Sequence, residues 1–271
     1  MSVSSSDATV TQVSEILATA VPLSVDPRLR ELRRVAIVPA LNEEHSIECV
    51  IDELRAFDAG LDVVVIDDGS SDGTADAAAA KGAYVLRLPF NLGIGGAVQT
   101  GFKFAFEHDY DIAVRVDGDG QHDPAQLVRI LAPVLRGDAD IAVGSRFAAE
   151  GAAGYRSSRS RRVGIRILAA VVSRIVGQRV TDTTSGFQAL NRKGIALFAH
   201  DYPHDYPEVE ATVMVFRHRL RLQEVPVSMR ERGGGQSSIT ALRSVYYMVK
   251  VLLAIFVGLS RRHVIPQEES A

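Results

Sequence analysis

Short, largely apolar runs alternate with segments of helical periodicity through the first half of the chain, and this alternation constrains the fold most strongly. The runs are four or five residues long and fit strands at 35–38, 63–66, 84–88 and 112–116, of which the first, second and fourth fit strands buried on both faces. Between the first two runs, apolar residues occupy positions 47, 50, 51 and 54, the spacing of one helical face, so we expect a helix from about Asn42. The pattern predicts an α/β fold with a mostly parallel sheet and helices on both faces.

The second half of the chain is less regular. It predicts a strand, a helix that ends near Val176, a loop and a closing strand, with the strands and loop at 140–144, 181–188 and 222–227. A length of 271 residues suits one large domain or two small ones. We expect a partly disordered N-terminal tail, one main domain and an interfacial C-terminal helix with its tail, at residues 1–32, 33–240 and 241–271.

Composition limits the classes of function. With 46% hydrophobic and 23% charged residues this is ordinary globular composition, and a net charge of -3 gives no reason to expect a nucleic-acid partner. The single cysteine, Cys49, excludes an internal disulfide framework and a cysteine-rich zinc site. Because Cys49 lies in a helical pattern, we expect a buried thiol rather than a nucleophile.

Acidic residues follow three of the predicted strands, where each strand ends. They are Glu43 and Glu44, Asp67 and Asp68, and Asp117 and Asp119. In open parallel sheets, ligands bind beyond the carboxyl ends of the strands. Glu43 and Asp68 are therefore candidates to bind a base or ribose, although helix capping also explains acidic residues at such positions. No phosphate-binding glycine loop is present to offer a competing explanation.

Asp117, Asp119 and Gln121 alternate directly after a predicted strand. Alternate side chains of an extended segment point the same way, so three oxygen ligands can converge there. Hard oxygen ligands suit Mg²⁺ or Mn²⁺, with phosphate oxygens completing the shell. The alternative is a polar turn with helix caps, in which Asp123 starts the next helix.

Arginines are concentrated after the fifth predicted strand. Arg146 follows that strand, and Arg156, Arg159, Arg161 and Arg162 lie within one short stretch. Guanidinium groups bind phosphate in a bidentate manner, which favours a phosphate site, but runs of charge are also common on solvated surfaces.

An apolar segment at 244–259 is interrupted by Lys250 and is too short for a standard membrane-spanning helix. Its aromatic residues and the following Arg261 and Arg262 fit an interfacial anchor. A buried or dimerising helix is an equally good interpretation, so an oligomer remains possible.

Six motifs in this chain resemble those of family-2 glycosyltransferases with a GT-A fold, within the polyprenyl-phosphate branch of dolichol-phosphate mannose synthases. The motifs span roughly residues 33–240: VAIVPALNEE at 35–44, DDGSSDGT at 67–74, NLGIGGAVQTG at 91–101, DGDGQHDP at 117–124, GSRF at 144–147 and TSGF at 184–187. The resemblance implies that the main domain is a GT-A catalytic domain. Residues 205–210 (DYPEVE) are similar to a bacterial subgroup that works with a small membrane protein, which implies such a partner.

The resemblance also implies roles for individual residues. The nucleotide sugar would be bound by Pro39, Glu43, Asp68, Asp117 and Gly118; the metal by Asp117, Asp119 and Gln121; and the acceptor phosphate by Arg146 and Arg159, with Arg232, Ser237 and Ser238 on the adjoining loop that closes over the donor. Of these, Asp117, Asp119 and Arg146 are the expected catalytic residues.

The implied activity is inverting transfer of a hexose-type sugar from a UDP- or GDP-sugar to a polyprenyl phosphate. It would take place at the cytoplasmic face of the membrane, with the protein bound peripherally and with Mg²⁺ or Mn²⁺ as cofactor. The ionised lipid phosphate would itself be the nucleophile, so no strong protein base is needed. Three rivals remain: a soluble family-2 transferase with a small phosphorylated or glycan acceptor, a sugar nucleotidyltransferase, and a non-catalytic nucleotide-sugar binder.

Overall fold

The computed structural model describes residues 31–148, 159–204 and 207–230, together with Lys250 and Leu253. The strands are β1 (Arg34–Ala40), β2 (Leu61–Asp67), β3 (Tyr84–Arg87), β4 (Ile112–Arg115), β5 (Ile141–Ser145), β6 (Gln188–Asn191) and β7 (Leu222–Pro226). The helices are α1 (Ile47–Phe57), α2 (Thr74–Ala80), α3 (Gly93–Glu107), α4 (Leu127–Leu135), α5 (Arg159–Val176), α6 (Arg192–His200) and α7 (Pro207–Arg217).

Within the described residues, seven strands form one sheet in the order β3-β2-β1-β4-β6-β5-β7. Six of them are parallel to one another, and β6 runs antiparallel to both of its neighbours, β4 and β5. The predicted α/β fold with a mostly parallel sheet is confirmed. The antiparallel strand was not predicted, because β6 has only four residues and lies at the end of the segment that we expected to be a loop.

Helices cover both faces of the sheet, as predicted. Successive residues of β1 point to opposite faces, so Ala36 and Val38 pack in one core with α1 and α4, and Val35 and Ile37 pack in the other with α3, α6 and α7. Because both faces of the central strands are covered, β1 is buried along its whole length. The sheet is therefore a rigid base for the loops at its carboxyl edge.

Two expectations for the first helix were wrong. The helix begins at Ile47 rather than near Asn42, because Asn42 adopts a left-handed conformation (φ 55°) that a right-handed helix cannot include. Cys49 is exposed rather than buried. Ile47, Val50, Ile51 and Leu54 do form the buried face of α1, and this face excludes position 49.

Candidate active site

The loops that follow β1, β2 and β4 are held together by backbone hydrogen bonds. The N–H of Asp68 donates to the carbonyl of Ala40 (2.9 Å), and the N–H of Gly118 donates to the carbonyl of Pro39 (3.3 Å). Parallel pairing of β1 with β2 and β4 brings these loops to one edge of the sheet. The structure therefore brings together the candidate donor residues Pro39, Asp68 and Gly118.

Glu43 and Asp68 both make contacts within this edge. The Ser46 hydroxyl lies 3.0 Å from Glu43 Oε2 and 2.7 Å from the carbonyl oxygen of Gly118, which links the first loop to the third. Asp68 is buried, and its Oδ1 accepts a hydrogen bond from the N–H of Leu92 (2.7 Å). The neighbouring acids cap turns, since Asp67 accepts from the N–H of Ser70 and Asp72 accepts from the N–H of Thr74.

The segment from Asp117 to Gln121 forms a tight turn rather than the extended segment that we expected. Gly120 has a φ of 73°, a conformation that favours glycine, and Asp119 Oδ1 accepts a hydrogen bond from the N–H of Gln121 (3.0 Å). The side chain of Asp117 is 33% exposed, so it is accessible to a ligand. We call residues 117–121 the metal loop, after the site predicted there.

His122 packs against the metal loop and holds its backbone. Its ring is buried and stacks on Phe187, with 4.8 Å between the ring centroids. The N–H of Asp117 donates to His122 Nδ1 (3.0 Å), and burial lowers the pKa of the imidazole. A neutral ring that accepts at Nδ1 suits this hydrogen bond, so His122 is a packed support for Asp117.

The ligand atoms of the metal loop fit Mg²⁺ or Mn²⁺. Two carboxylates and one amide are all hard oxygen donors, and such ions are usually bound by one or two carboxylates together with phosphate oxygens and water. Within the described parts of the chain, no group of three or more histidine, cysteine, aspartate or glutamate residues could hold an ion unaided. Phosphate oxygens of a ligand, or water, would complete the coordination shell of an ion bound at this loop.

A buried arginine lies directly behind Asp117. Arg115, the last residue of β4, is 1% exposed, and its Nη2 lies 3.4 Å from Asp117 Oδ1 and 3.0 Å from Glu208 Oε1. Gly186 leaves room for this contact, because a Cβ at that position would lie 2.8 Å from Arg115 Nη2 and 3.1 Å from Asp117 Oδ1. Neither Arg115 nor Glu208 was predicted to be part of the site.

We expect Gly186→Ala to weaken Mn²⁺ binding by about tenfold, because the new methyl group would lie 3.1 Å from Asp117 Oδ1 and would displace that carboxylate, and groups that orient metal ligands typically have effects of this size. Titration calorimetry with UDP present measures the change. Gly194→Ala is the control, since its Cβ would be similarly crowded, at 3.0 Å from Ile141 Cγ1, but at the start of α6. Equal Mn²⁺ affinity in both variants would contradict the expectation.

Arg146 forms a buried ion pair that the sequence did not reveal. Its Nε and Nη2 donate to the two carboxylate oxygens of Asp182 (2.7 and 2.8 Å), and Nη2 also donates to Thr184 (2.6 Å). The guanidinium is nearly buried, and the Asp182 side chain is fully so. Arg146 therefore connects the end of β5 to the loop before β6.

The loop that carries Asp182 is itself anchored to β7. Glu224 accepts hydrogen bonds from the N–H groups of Thr181 and Asp182, at 2.8–2.9 Å, and from the Thr181 hydroxyl (2.7 Å). The Thr181 hydroxyl also lies 2.8 Å from that of Ser145. Charged and hydroxyl groups from β5, from β7 and from the loop before β6 thus hold Arg146 in a fixed position.

Arg230 contacts the metal loop and its neighbours. Its N–H donates to the carbonyl of Gln121 (2.9 Å), and its guanidinium contacts Glu53 on α1 (2.7 Å) and Asp123 (2.9 Å). Asp123 also caps the short 3₁₀ turn before α4, as the capping alternative proposed for that residue.

The remaining predicted positions are described in part or not at all. Arg159 is the first residue of α5, whereas Arg232, Ser237 and Ser238 lie outside the described residues. The predicted interfacial segment also lies outside them, apart from Lys250 and Leu253, which are exposed. Among the helices that are described, none is both long enough and apolar enough to cross a bilayer.

Known proteins match this chain in sequence and in fold. The family described as Glycosyl transferase family 2 matches residues 35–197. Undecaprenyl-phosphate mannosyltransferase of Micrococcus luteus is 34% identical over 218 residues, which cover 77% of this chain and 88% of that protein. Polyprenol monophosphomannose synthase of Mycolicibacterium smegmatis is 30% identical over 240 residues, which cover 85% and 88%.

Solved structures agree on the fold. Glucosyl-3-phosphoglycerate synthase from Mycobacterium tuberculosis, in complex with Mn²⁺, UDP and glucosyl-3-phosphoglycerate, has a TM-score of 0.65 and 23% identity, covering 88% of this chain and 82% of that one. The likeness supports a GT-A fold. The match of the family model to residues 35–197, more than half of the chain, shows that this chain belongs to glycosyl transferase family 2.

Proposed function

We propose that this chain is a metal-dependent, inverting glycosyltransferase that moves a hexose-type sugar from a UDP- or GDP-sugar to a polyprenyl phosphate at the cytoplasmic face of a membrane. The observation that carries the proposal is the metal loop, which has two carboxylates and one amide in its sequence and is joined to the loop after β1 by the backbone hydrogen bond from Gly118 to Pro39. The names of the two bacterial relatives support a polyprenyl-phosphate acceptor.

The donor would lie across the carboxyl ends of β1, β2 and β4. In this proposal Pro39, Glu43 and Asp68 bind the base and ribose, and the metal loop binds the diphosphate. A bound Mg²⁺ or Mn²⁺ supplies neutralisation of the charge that develops on the leaving diphosphate. Gly118 contributes a backbone that approaches Pro39 closely: a Cβ there would lie 3.2 Å from the carbonyl oxygen of Pro39.

The acceptor phosphate would approach from the side of β5. An oxygen of that phosphate forms the new bond to the anomeric carbon, and the bond to the nucleoside diphosphate breaks with its electron pair going to the leaving oxygen. Arg146 and Arg159 bind the acceptor phosphate, and the ion pair with Asp182 holds the Arg146 guanidinium in one orientation. The rate enhancement comes from positioning and from charge neutralisation.

A turnover screen tests the proposal as a whole. Purified full-length protein is incubated with UDP- and GDP-sugars and either a polyprenyl phosphate or a small phosphorylated acceptor, and release of nucleoside diphosphate is followed. We expect release that depends on Mg²⁺ or Mn²⁺ and on the polyprenyl phosphate. Release with the small acceptor alone would favour the soluble transferase, and no release with any pair would favour a non-catalytic binder.

Ending the chain at Thr240 tests the role of the C-terminal segment. The aromatic, apolar and basic order of that segment supports an interfacial helix, and burying one apolar face provides several kcal/mol at about 25 cal/mol per Å². We expect the shortened protein to lose binding to liposomes and turnover of polyprenyl phosphate, while its affinity for the nucleotide sugar, measured by calorimetry, stays unchanged. Unchanged liposome binding would assign membrane contact to another part of the chain.

A further inference from the structure

Glu208 and Arg115 form an ion pair immediately behind the metal loop. Arg115 is the largest of the fully buried side chains in the described part of the protein, and Glu208 is on α7, 93 residues away in sequence. The pair is within hydrogen-bonding distance (3.0 Å), and a second nitrogen of Arg115 lies 3.3 Å from the Tyr202 hydroxyl. The side chain of Glu208 is only 19% exposed.

The same guanidinium also contacts the metal loop. Arg115 Nη2 is 3.4 Å from Asp117 Oδ1, so one nitrogen lies between two carboxylates. A cation at this position attracts the Asp117 carboxylate and competes with a metal ion for its charge. Glu208 offsets this competition because it supplies the charge that Arg115 requires in its buried position.

We propose that Glu208 is a positioning residue for metal binding: it neutralises Arg115 and so leaves the Asp117 carboxylate available to a divalent cation. The inference rests on the proposed function, because it assumes that Asp117 is a metal ligand. Glu208 belongs to the DYPEVE motif at 205–210, so one residue of that motif would have a role inside the protein. Val209, in the same motif, is buried in the cluster that α5 and α7 share.

Two further observations agree with this role. Arginine stays protonated in proteins, so the buried guanidinium of Arg115 keeps its charge between the two carboxylates. Glycine at position 186 leaves room for the contact between Arg115 and Asp117. A Cβ added there would lie 2.8 Å from Arg115 Nη2 and 3.1 Å from Asp117 Oδ1, so those atoms would have to move.

The test is the Mn²⁺ affinity of the full-length protein with UDP present, measured by calorimetry, alongside the melting temperature. We expect Glu208→Gln to raise the Kd for Mn²⁺ by about tenfold, the lower end of the range for residues that orient metal ligands. The double variant Arg115→Met with Glu208→Met is expected to stay within about threefold of the parent, because replacing a buried ion pair by apolar residues is often neutral.

The double variant separates positioning by charge from simple packing. If Glu208 only filled space or supported α7, removing Arg115 as well would weaken Mn²⁺ binding at least as much as Glu208→Gln does. Asp140→Asn is the matched control: it breaks the pair of the buried Asp140 with Arg221, at the start of β5, and is expected to lower the melting temperature without changing the Mn²⁺ affinity.

Each outcome has a defined meaning. Parent-like Mn²⁺ affinity in Glu208→Gln, with the affinity lost in Asp119→Ala, overturns the role of Glu208 and leaves the proposed function standing. Parent-like affinity in Asp119→Ala overturns the metal site itself. If Glu208→Gln does not fold, the double variant decides, and a Kd about tenfold above that of the parent then overturns the inference.

Discussion

Replacing Asp119 by alanine is expected to lower turnover by about a thousandfold and to leave the fold intact. A metal ion that stabilises charge on a leaving diphosphate contributes several kcal/mol, and each 1.36 kcal/mol corresponds to about tenfold in rate. The structural cost is small, because the hydrogen bond from the Gln121 N–H to Asp119 is worth about 1 kcal/mol and the turn is not part of a core.

Asp119→Asn is the matched control for this prediction. The amide oxygen can still accept the hydrogen bond from Gln121, so the turn is kept and only the charge is removed. Release of nucleoside diphosphate at saturating donor and Mn²⁺ measures turnover, and the melting temperature confirms folding. Full turnover by the parent protein in excess chelator would show that the metal assignment is wrong.

The second large effect is expected on stability. Arg146→Ala should lower the free energy of unfolding by about 3–5 kcal/mol, because it leaves the carboxylate of Asp182 fully buried without its partner. Thr184 loses a hydrogen bond from Arg146 at the same time. The substitution therefore acts on the fold as well as on any acceptor phosphate, and its activity alone does not measure phosphate binding.

A double substitution separates the two roles of Arg146. Arg146→Met with Asp182→Leu removes both charges, so we expect most of the stability to return, while turnover of polyprenyl phosphate stays low because the acceptor site still lacks its guanidinium. Urea unfolding gives the stability of each variant. A single Arg146→Ala variant within about 1 kcal/mol of the parent would contradict the buried-pair argument.

The elements of the first half could be predicted from local patterns. Strands that are buried on both faces need continuous apolar runs, and β1 and β2 have them, whereas α1 needs apolar residues at helical spacing and has them at 47, 50, 51 and 54. These patterns repeat within a few residues, so one sequence is enough to detect them. The position of acidic residues at strand ends then predicts a shared edge, since parallel strands end on the same side.

Other features were not found from local patterns. The strand β6 has four residues, and its antiparallel direction depends on pairing with β4, about 75 positions earlier in the chain. The helices α6 and α7 were not assigned: α6 has only nine residues, although its buried positions 194, 195, 198 and 199 follow helical spacing, and α7 buries residues on most of its circumference rather than one stripe. The exposure of Cys49 was also misjudged, although the apolar positions 47, 50, 51 and 54 define a face that already excludes position 49.

The sequence by itself determined the fold class and the family motifs, including the metal loop that the motifs predict. The spacing of apolar residues and each motif can be recognised within a short segment, so one sequence is enough to find them. Only the tertiary structure decided which charges meet. Arg146 pairs with Asp182 across 36 positions, and Arg115 pairs with Glu208 across 93. Burying a charge is costly unless an opposite charge is adjacent, so such partners are selected by position in space, and their separation along the chain carries no signal that a single sequence can show.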